Sequence, residues 1–141
     1  MLPFLGYNMG DYLAHWLEMG DTLRVTGRPP RIFQVNWFRR DANGGFIWPG
    51  FGENSRVVEW IVNRLEGRVP ARRTAIGWTP ETINLEGIEL EESALQALLE
   101  IDPEAIARDL DDAEVFLNTM GSRLPAEISR QLEDTRTRLS L

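Results

Sequence analysis

Residues 32–48, "IFQVNWFRRDANGGFIW", constrain the fold more than any other stretch of the chain. Phe33, Val35 and Trp37 alternate with Ile32, Gln34, Asn36 and Phe38, which is the period of a strand whose two faces both carry bulk. Asn43-Gly44 is the strongest turn signal in the sequence, and "FIW" returns as a short strand that stops at Pro49. The pattern predicts a β-hairpin over residues 32–48. Its loop is longer than the ideal two residues, so the register is open.

Helical patterns surround this hairpin. Tyr12, Leu13, Trp16 and Leu17 form an apolar stripe, with Asn8 or Asp11 as cap and Gly20 as the stop. "TGRPPR" is loop, because two prolines break backbone pairing. "SRVVEWIVNRLEG" reads as a helix with Val57, Val58, Trp60, Ile61 and Leu65 inward, Asn54 or Ser55 as N-cap and Gly67 as its end. Residues 68–87 are rich in turn formers and read as an irregular, extended connection. Three further helices follow over roughly 91–100, 103–120 and 125–139, with Pro103 and Pro125 at first-turn positions and Gly121 closing the middle one. The fold class is α+β, mainly helical, with one β-hairpin.

At 141 residues the length suits one domain. No apolar run approaches the roughly 20 residues of a membrane span, and no signal peptide is legible at the start. With no cysteine there is neither disulfide framework nor thiolate metal site, which fits a reducing cytoplasm. All 15 basic residues are arginine, and His15 is the one histidine. A phosphate loop ending in GK[ST], Schiff-base chemistry and a two-histidine zinc site are therefore excluded within the chain. The residues are suited to binding and poorly suited to reaction.

Charge divides the chain near residue 80. Residues 1–80 hold ten arginines against seven acids, a net of +3; residues 81–141 hold five against fifteen, a net of −10. An anionic ligand belongs with the first segment (helix, hairpin, helix, irregular connection), and the acidic helical segment 81–141 completes the same domain. Nucleic acid is not an expected partner, and neither is a membrane.

"WPGFGENSR", residues 48–56, looks at first like an anion loop, yet Phe51 stands between its glycines. Phe33, Trp37, Phe38, Phe46, Trp48 and Phe51 fall within nineteen positions. Such a group packs a hairpin on neighbouring helices, or it offers flat faces to a flat ligand. Phe38 lies opposite Trp37, so one small core cannot serve both faces. A purine would suit the second reading, since base–aromatic stacking is worth about 1–3 kcal/mol per base. Asn54 either caps its helix or reads a base edge, for which an amide matches guanine's O6 acceptor and N–H donors. Gly50 and Gly52 allow close backbone approach. Arg39, Arg40 and Arg56 face phosphates or solvent.

"LPFLGYNMGDYLAHW", "VNWFRRD" and "FIWPGFGENSRVVEWIVNRLEG" resemble the C-terminal part of GTP-dependent phosphoenolpyruvate carboxykinase, densely over residues 2–67 and more loosely beyond. The resemblance implies the C-terminal portion of that enzyme's nucleotide-binding domain, with Phe38, Phe46 and Phe51 stacking on the guanine of GTP, Asn54 reading its edge, and Gly52 and Glu53 lining the same turn. It implies a part in gluconeogenesis, where oxaloacetate and GTP become phosphoenolpyruvate, CO2 and GDP with two divalent metals, Mn2+ or Mg2+. The phosphate loop, metal ligands and catalytic groups are expected outside this chain, so no catalytic or metal-binding residue is assigned within it. Taken alone the chain is expected to be inactive and prone to self-association, whereas the whole enzyme is expected to be a monomer. The competing expectation is a stand-alone module that uses its aromatic hairpin as a protein-binding patch.

Overall fold

The computed structural model describes residues 2–140, which carry five α-helices and one two-stranded antiparallel sheet. The chain divides into two compact units: one comprises Met1–Arg31 and Asp102–Leu141, the other Ile32–Ile101.

In the first unit, α1 (Met9–Thr26) starts at Asn8, whose Oδ1 accepts from the Gly10 amide at 2.7 Å. The other end of the same side chain donates to the Met120 carbonyl. Gly20 does not stop the helix as expected. One glycine costs a helix only about 1 kcal/mol, and the residues after it are bound in: Arg24 pairs with Asp21, and the hydroxyls of Thr22 and Thr26 bond back to the carbonyls of Glu18 and Thr22. The helix ends instead at Gly27, just ahead of Pro29 and Pro30.

α4 (Pro103–Asn118) begins with proline at its first position and with Asp102 Oδ1 accepting from the Glu104 and Ala105 amides. A 3-10 turn, Gly121–Arg123, leads to α5 (Ala126–Leu139), for which Pro125 is the flanking residue. Arg136 of α5 reaches across to Asp111 at 2.7 Å and Glu114 at 2.9 Å on α4. The hydrogen bond to Asp111 raises the Arg136 pKa above its ordinary value. Arg123 holds Asp11 at 2.6 Å and so ties the 3-10 turn to the start of α1.

That junction leaves no room at Gly10, where a Cβ would stand 2.4 Å from the Arg123 carbonyl oxygen. Gly10→Ala is expected to destabilise the chain by about 1–3 kcal/mol through overpacking. Gly20→Ala is the internal control. It meets nothing within 4 Å and should stabilise by about 0.5–1 kcal/mol through helix propensity. Thermal melts of the two variants should therefore move in opposite directions.

In the second unit, α2 (Asn54–Leu65) packs one line of residues inward: Trp60 is buried and Val57, Ile61 and Arg64 are half-buried. Val58 and Leu65, expected inward, are exposed together with Val62. They lie on a second stripe one residue, about 100°, round the helix. The helix does not start with a side-chain cap at Asn54 or Ser55. A 3-10 turn, Phe51–Glu53, feeds directly into it, and Asn54 is already helical. α3 (Glu92–Leu99) contributes the buried Leu95.

The hairpin stands, but not where the pattern put it. Residues 32–48 contain only an isolated bridge between Arg40 and Phe46. The strands are β1 (Ala71–Thr74) and β2 (Gly77–Pro80), paired Ala71 with Pro80 through Thr74 with Gly77, inside the stretch expected to be irregular. Local polar bonds explain the difference. Asn36 Oδ1 takes the Phe38 amide, and Asp41 Oδ1 takes the amides of Asn43 and Gly45, so side chains capture donors that a ladder would need. At the real hairpin, Gly77 sits at φ +126° and the Thr74 hydroxyl bonds its carbonyl, closing a turn with no Asn-Gly signature.

Candidate functional site

Trp78 apart, which is exposed and faces Arg64, the aromatic residues of the second unit separate into two groups. Phe33 meets the buried Trp60 edge-on with centroids 6.5 Å apart, and Trp37 lies 6.3 Å from the buried Trp48. Trp48 and Trp60 lie in the interior, Trp37 is half-buried, and Phe33 covers Trp60 from the surface at 37% exposure. Phe38 and Phe46 instead pair edge-to-face at 6.0 Å while remaining 70% and 54% exposed, and Phe51 is 91% exposed. Large rings left this open are the informative observation, since burial would have been favourable and nearby core was available.

The loop that carries Phe38 and Phe46 is cross-braced by hydrogen bonds. Besides the two amide bonds to its side chain, Asp41 closes the loop through its own amide to the Gly45 carbonyl at 2.8 Å and its carbonyl to the Gly44 amide at 3.0 Å. Gly44 supplies the φ of +82° that this turn demands. Arg40 lies over the Phe46 ring at 4.1 Å, a cation–π contact that restrains one side of the pair.

Phe51 begins the 3-10 turn that enters α2, following Gly50 at φ +123°. Its ring pairs with no other ring among the described residues. A Cβ on Gly52 would meet nothing, so the turn is open on that side. Glu53 is engaged by Arg56 at 2.6 Å, and Arg56 also donates to the Asn84 carbonyl. Asn54 turns its Oδ1 to the Trp48 indole, which donates at 2.9 Å. The indole has only a donor to offer, so this bond fixes which end of the amide is which.

The structure thus places Phe38 beside Phe46, and Phe51, Gly52, Glu53 and Asn54 on one continuous turn. No ring contact joins Phe51 to the pair. Arg39 is committed elsewhere: it donates to the Leu98 and Glu100 carbonyls at the end of α3. With Arg40 over Phe46 and Arg56 on Glu53, the three arginines considered for phosphates all have partners within the chain. The roles of Trp48 and Arg40 were not anticipated. The signal was available: an indole donor six residues before an amide, and a cation six residues before a ring. Among the described residues no group of three histidine, aspartate or glutamate side chains is placed to hold a metal ion.

A helical α+β chain with an aromatic surface beside a glycine turn matches one family along nearly its whole length. The model of the phosphoenolpyruvate carboxykinase C-terminal P-loop domain covers residues 1–138. The chain belongs to the GTP-dependent phosphoenolpyruvate carboxykinase family. It is 44% identical over 141 residues to the phosphoenolpyruvate carboxykinase [GTP] of Corynebacterium kroppenstedtii, covering 99% of this chain and 22% of that protein. The Paenarthrobacter aurescens enzyme of the same name is also 44% identical, over 99% of this chain and 23% of its own length. The cytosolic enzyme of Gallus gallus is 47% identical over 135 residues, 94% of this chain and 21% of that protein. The chain therefore spans between a fifth and a quarter of the relatives it matches.

Proposed function

We propose that the chain provides the guanine-binding corner of a GTP-dependent phosphoenolpyruvate carboxykinase, with Phe38, Phe46 and Phe51 stacking on the base, Asn54 reading its edge, and Gly52 and Glu53 lining the turn. The division of the aromatics carries this reading: Trp48 and Trp60 are buried with Trp37 half-buried beside them, while the three rings named by the family resemblance stay open to solvent. Residues 1–80 are then the guanine-nucleotide-binding segment, and 81–141 the acidic helical segment of the same domain. The pairing of Glu53 with Arg56 has a use here, because it offsets a carboxylate that would otherwise repel a triphosphate.

In the conversion of oxaloacetate and GTP to phosphoenolpyruvate, CO2 and GDP, the chain binds and orients the base. Mn2+ or Mg2+ would neutralise phosphate charge in that reaction. Among the described residues the acids form no cluster for such an ion; on this reading its ligands, the phosphate loop and the groups that act on oxaloacetate are supplied by other parts of the enzyme. Alone, the chain should not turn over oxaloacetate. No helix among the described residues is long and apolar enough to cross a membrane, and one relative is named as cytosolic, which supports a cytoplasmic setting.

The test is a nucleotide titration followed by tryptophan fluorescence, with Trp37 and Trp48 as reporters beside the site. Binding should be weak without the phosphate contacts. GTP should nevertheless act at concentrations about tenfold below ATP, the ratio given by about 1.4 kcal/mol of edge discrimination. Equal responses to GTP and ATP would remove the guanine assignment. No response to either, with concentration-dependent dimers in sedimentation, would favour the aromatic segment as a protein-binding patch, with Phe38 and Phe46 as its exposed rings.

A further inference from the structure

We infer that Trp48 is a specificity-determining positioning residue: its indole N–H locks the Asn54 amide so that Nδ2, the donor end, is the end left for a purine's 6-position. The inference rests on the guanine-binding reading above and adds the reason one base is preferred to another. A free amide at the base edge chooses nothing. It can rotate by 180° about its last torsion and present oxygen to an amino group or nitrogen to a carbonyl.

Three observations remove that freedom. The indole nitrogen is a donor only, and at 2.9 Å from Asn54 Oδ1 it accepts no other partner assignment. A flip would set Nδ2–H against Nε1–H, donor facing donor. Trp48 is itself buried and backed by Trp37 at 6.3 Å, so the indole cannot swing aside to relieve the clash. Finally, Asn54 has no capping duty: it is already in the helix, and its side chain makes no bond to a backbone amide. Its Nδ2 has no partner among the described residues.

Guanine and adenine differ at this position in sign. Guanine carries the acceptor O6, and adenine carries an amino donor. A fixed N–H donor therefore attracts one and opposes the other, whereas stacking by Phe38, Phe46 and Phe51 treats the two alike. Discrimination then resides in a bond that no ligand atom touches.

Trp48→Phe, made in a full-length carboxykinase bearing these residues, keeps an aromatic ring against Trp37 and deletes the N–H. The ratio of kcat/KM for GTP over ATP is expected to fall about three- to tenfold, the size of one neutral hydrogen bond. The change should appear in KM and not in kcat. Asn54→Asp keeps an oxygen for the indole and loses the donor, so it should lower the same ratio further. If Trp48→Phe leaves the ratio unchanged, or lowers GTP and ATP use equally, while Asn54→Asp still lowers the ratio, the role of Trp48 is overturned and the reading of Asn54 stands. If neither Asn54→Asp nor Phe51→Ala affects nucleotide kinetics, the guanine-binding reading itself falls. Should Trp48→Phe not fold, the parent protein compared with Asn54→Asp supplies a second measurement. The Trp48 indole N–H should exchange slowly in NMR and shift in Asn54→Asp; fast exchange with no shift refutes the bond.

Discussion

Phe51→Ala is expected to raise the KM for GTP of a carboxykinase bearing these residues about 5- to 150-fold, the range spanned by stacking worth about 1–3 kcal/mol. Its kcat should barely move. The base is remote from the phosphoryl group that transfers, so its stacking is the same in ground and transition states and affects KM alone. Stability should hardly change, because Phe51 is 91% exposed and its truncation opens no cavity. Substitutions at such surface positions stay within about 0.5 kcal/mol. A large kinetic effect beside an unchanged melting temperature is the signature of a ligand-facing ring. Phe38→Ala and Phe46→Ala are less clean, since each ring rests on the other and Arg40 lies over Phe46. An unchanged KM for GTP in Phe51→Ala would end the stacking assignment.

The sequence made much of this site legible because its evidence was local. Alternation set Phe38 opposite Trp37 on a strand; the segment forms no strand, and Phe33 and Val35 of the Trp37 face are exposed, yet Phe38 is open while Trp37 packs on Trp48. The absence of lysine excluded a P-loop lysine without any geometry. What was not legible depended on competition between local and ladder hydrogen bonds. Asp41 can end a strand or brace a turn, and only the folded chain shows it taking the amides of Asn43 and Gly45. The true hairpin hid for the converse reason. "ARRTAIGWTP" has short strands, paired arginines and no Asn-Gly, so neither propensity nor turn chemistry announced it. Asn54 was ambiguous between cap and base reader because both uses need the same side chain at the same place. The indole of Trp48 resolves the cap half of that question, and nothing in linear spacing could have done so.

Trp60→Ala should be the most destabilising single substitution in the second unit, at about 3–5 kcal/mol for truncation of a buried aromatic. Trp60 is 7% exposed, anchors the inward line of α2, and receives the edge of Phe33 at 6.5 Å. Domains have only about 5–15 kcal/mol in total, so a loss of this size removes a large fraction of the margin. Trp78→Ala provides the contrast within the same unit. Trp78 is 61% exposed, and its ring lies beside the Arg64 guanidinium at 5.6 Å. An exposed cation–π contact is worth about 0.5–1 kcal/mol, so its loss should shift the denaturant midpoint only slightly. Hydrogen exchange adds spatial resolution: Trp60→Ala should strip protection from amides of α2, on whose first residue Asn54 stands. The nucleotide response would then be lost through folding, and raised GTP concentrations should not restore the lost protection to that of the parent chain. Equal midpoint shifts for Trp60→Ala and Trp78→Ala would show that the interior is not built around Trp60.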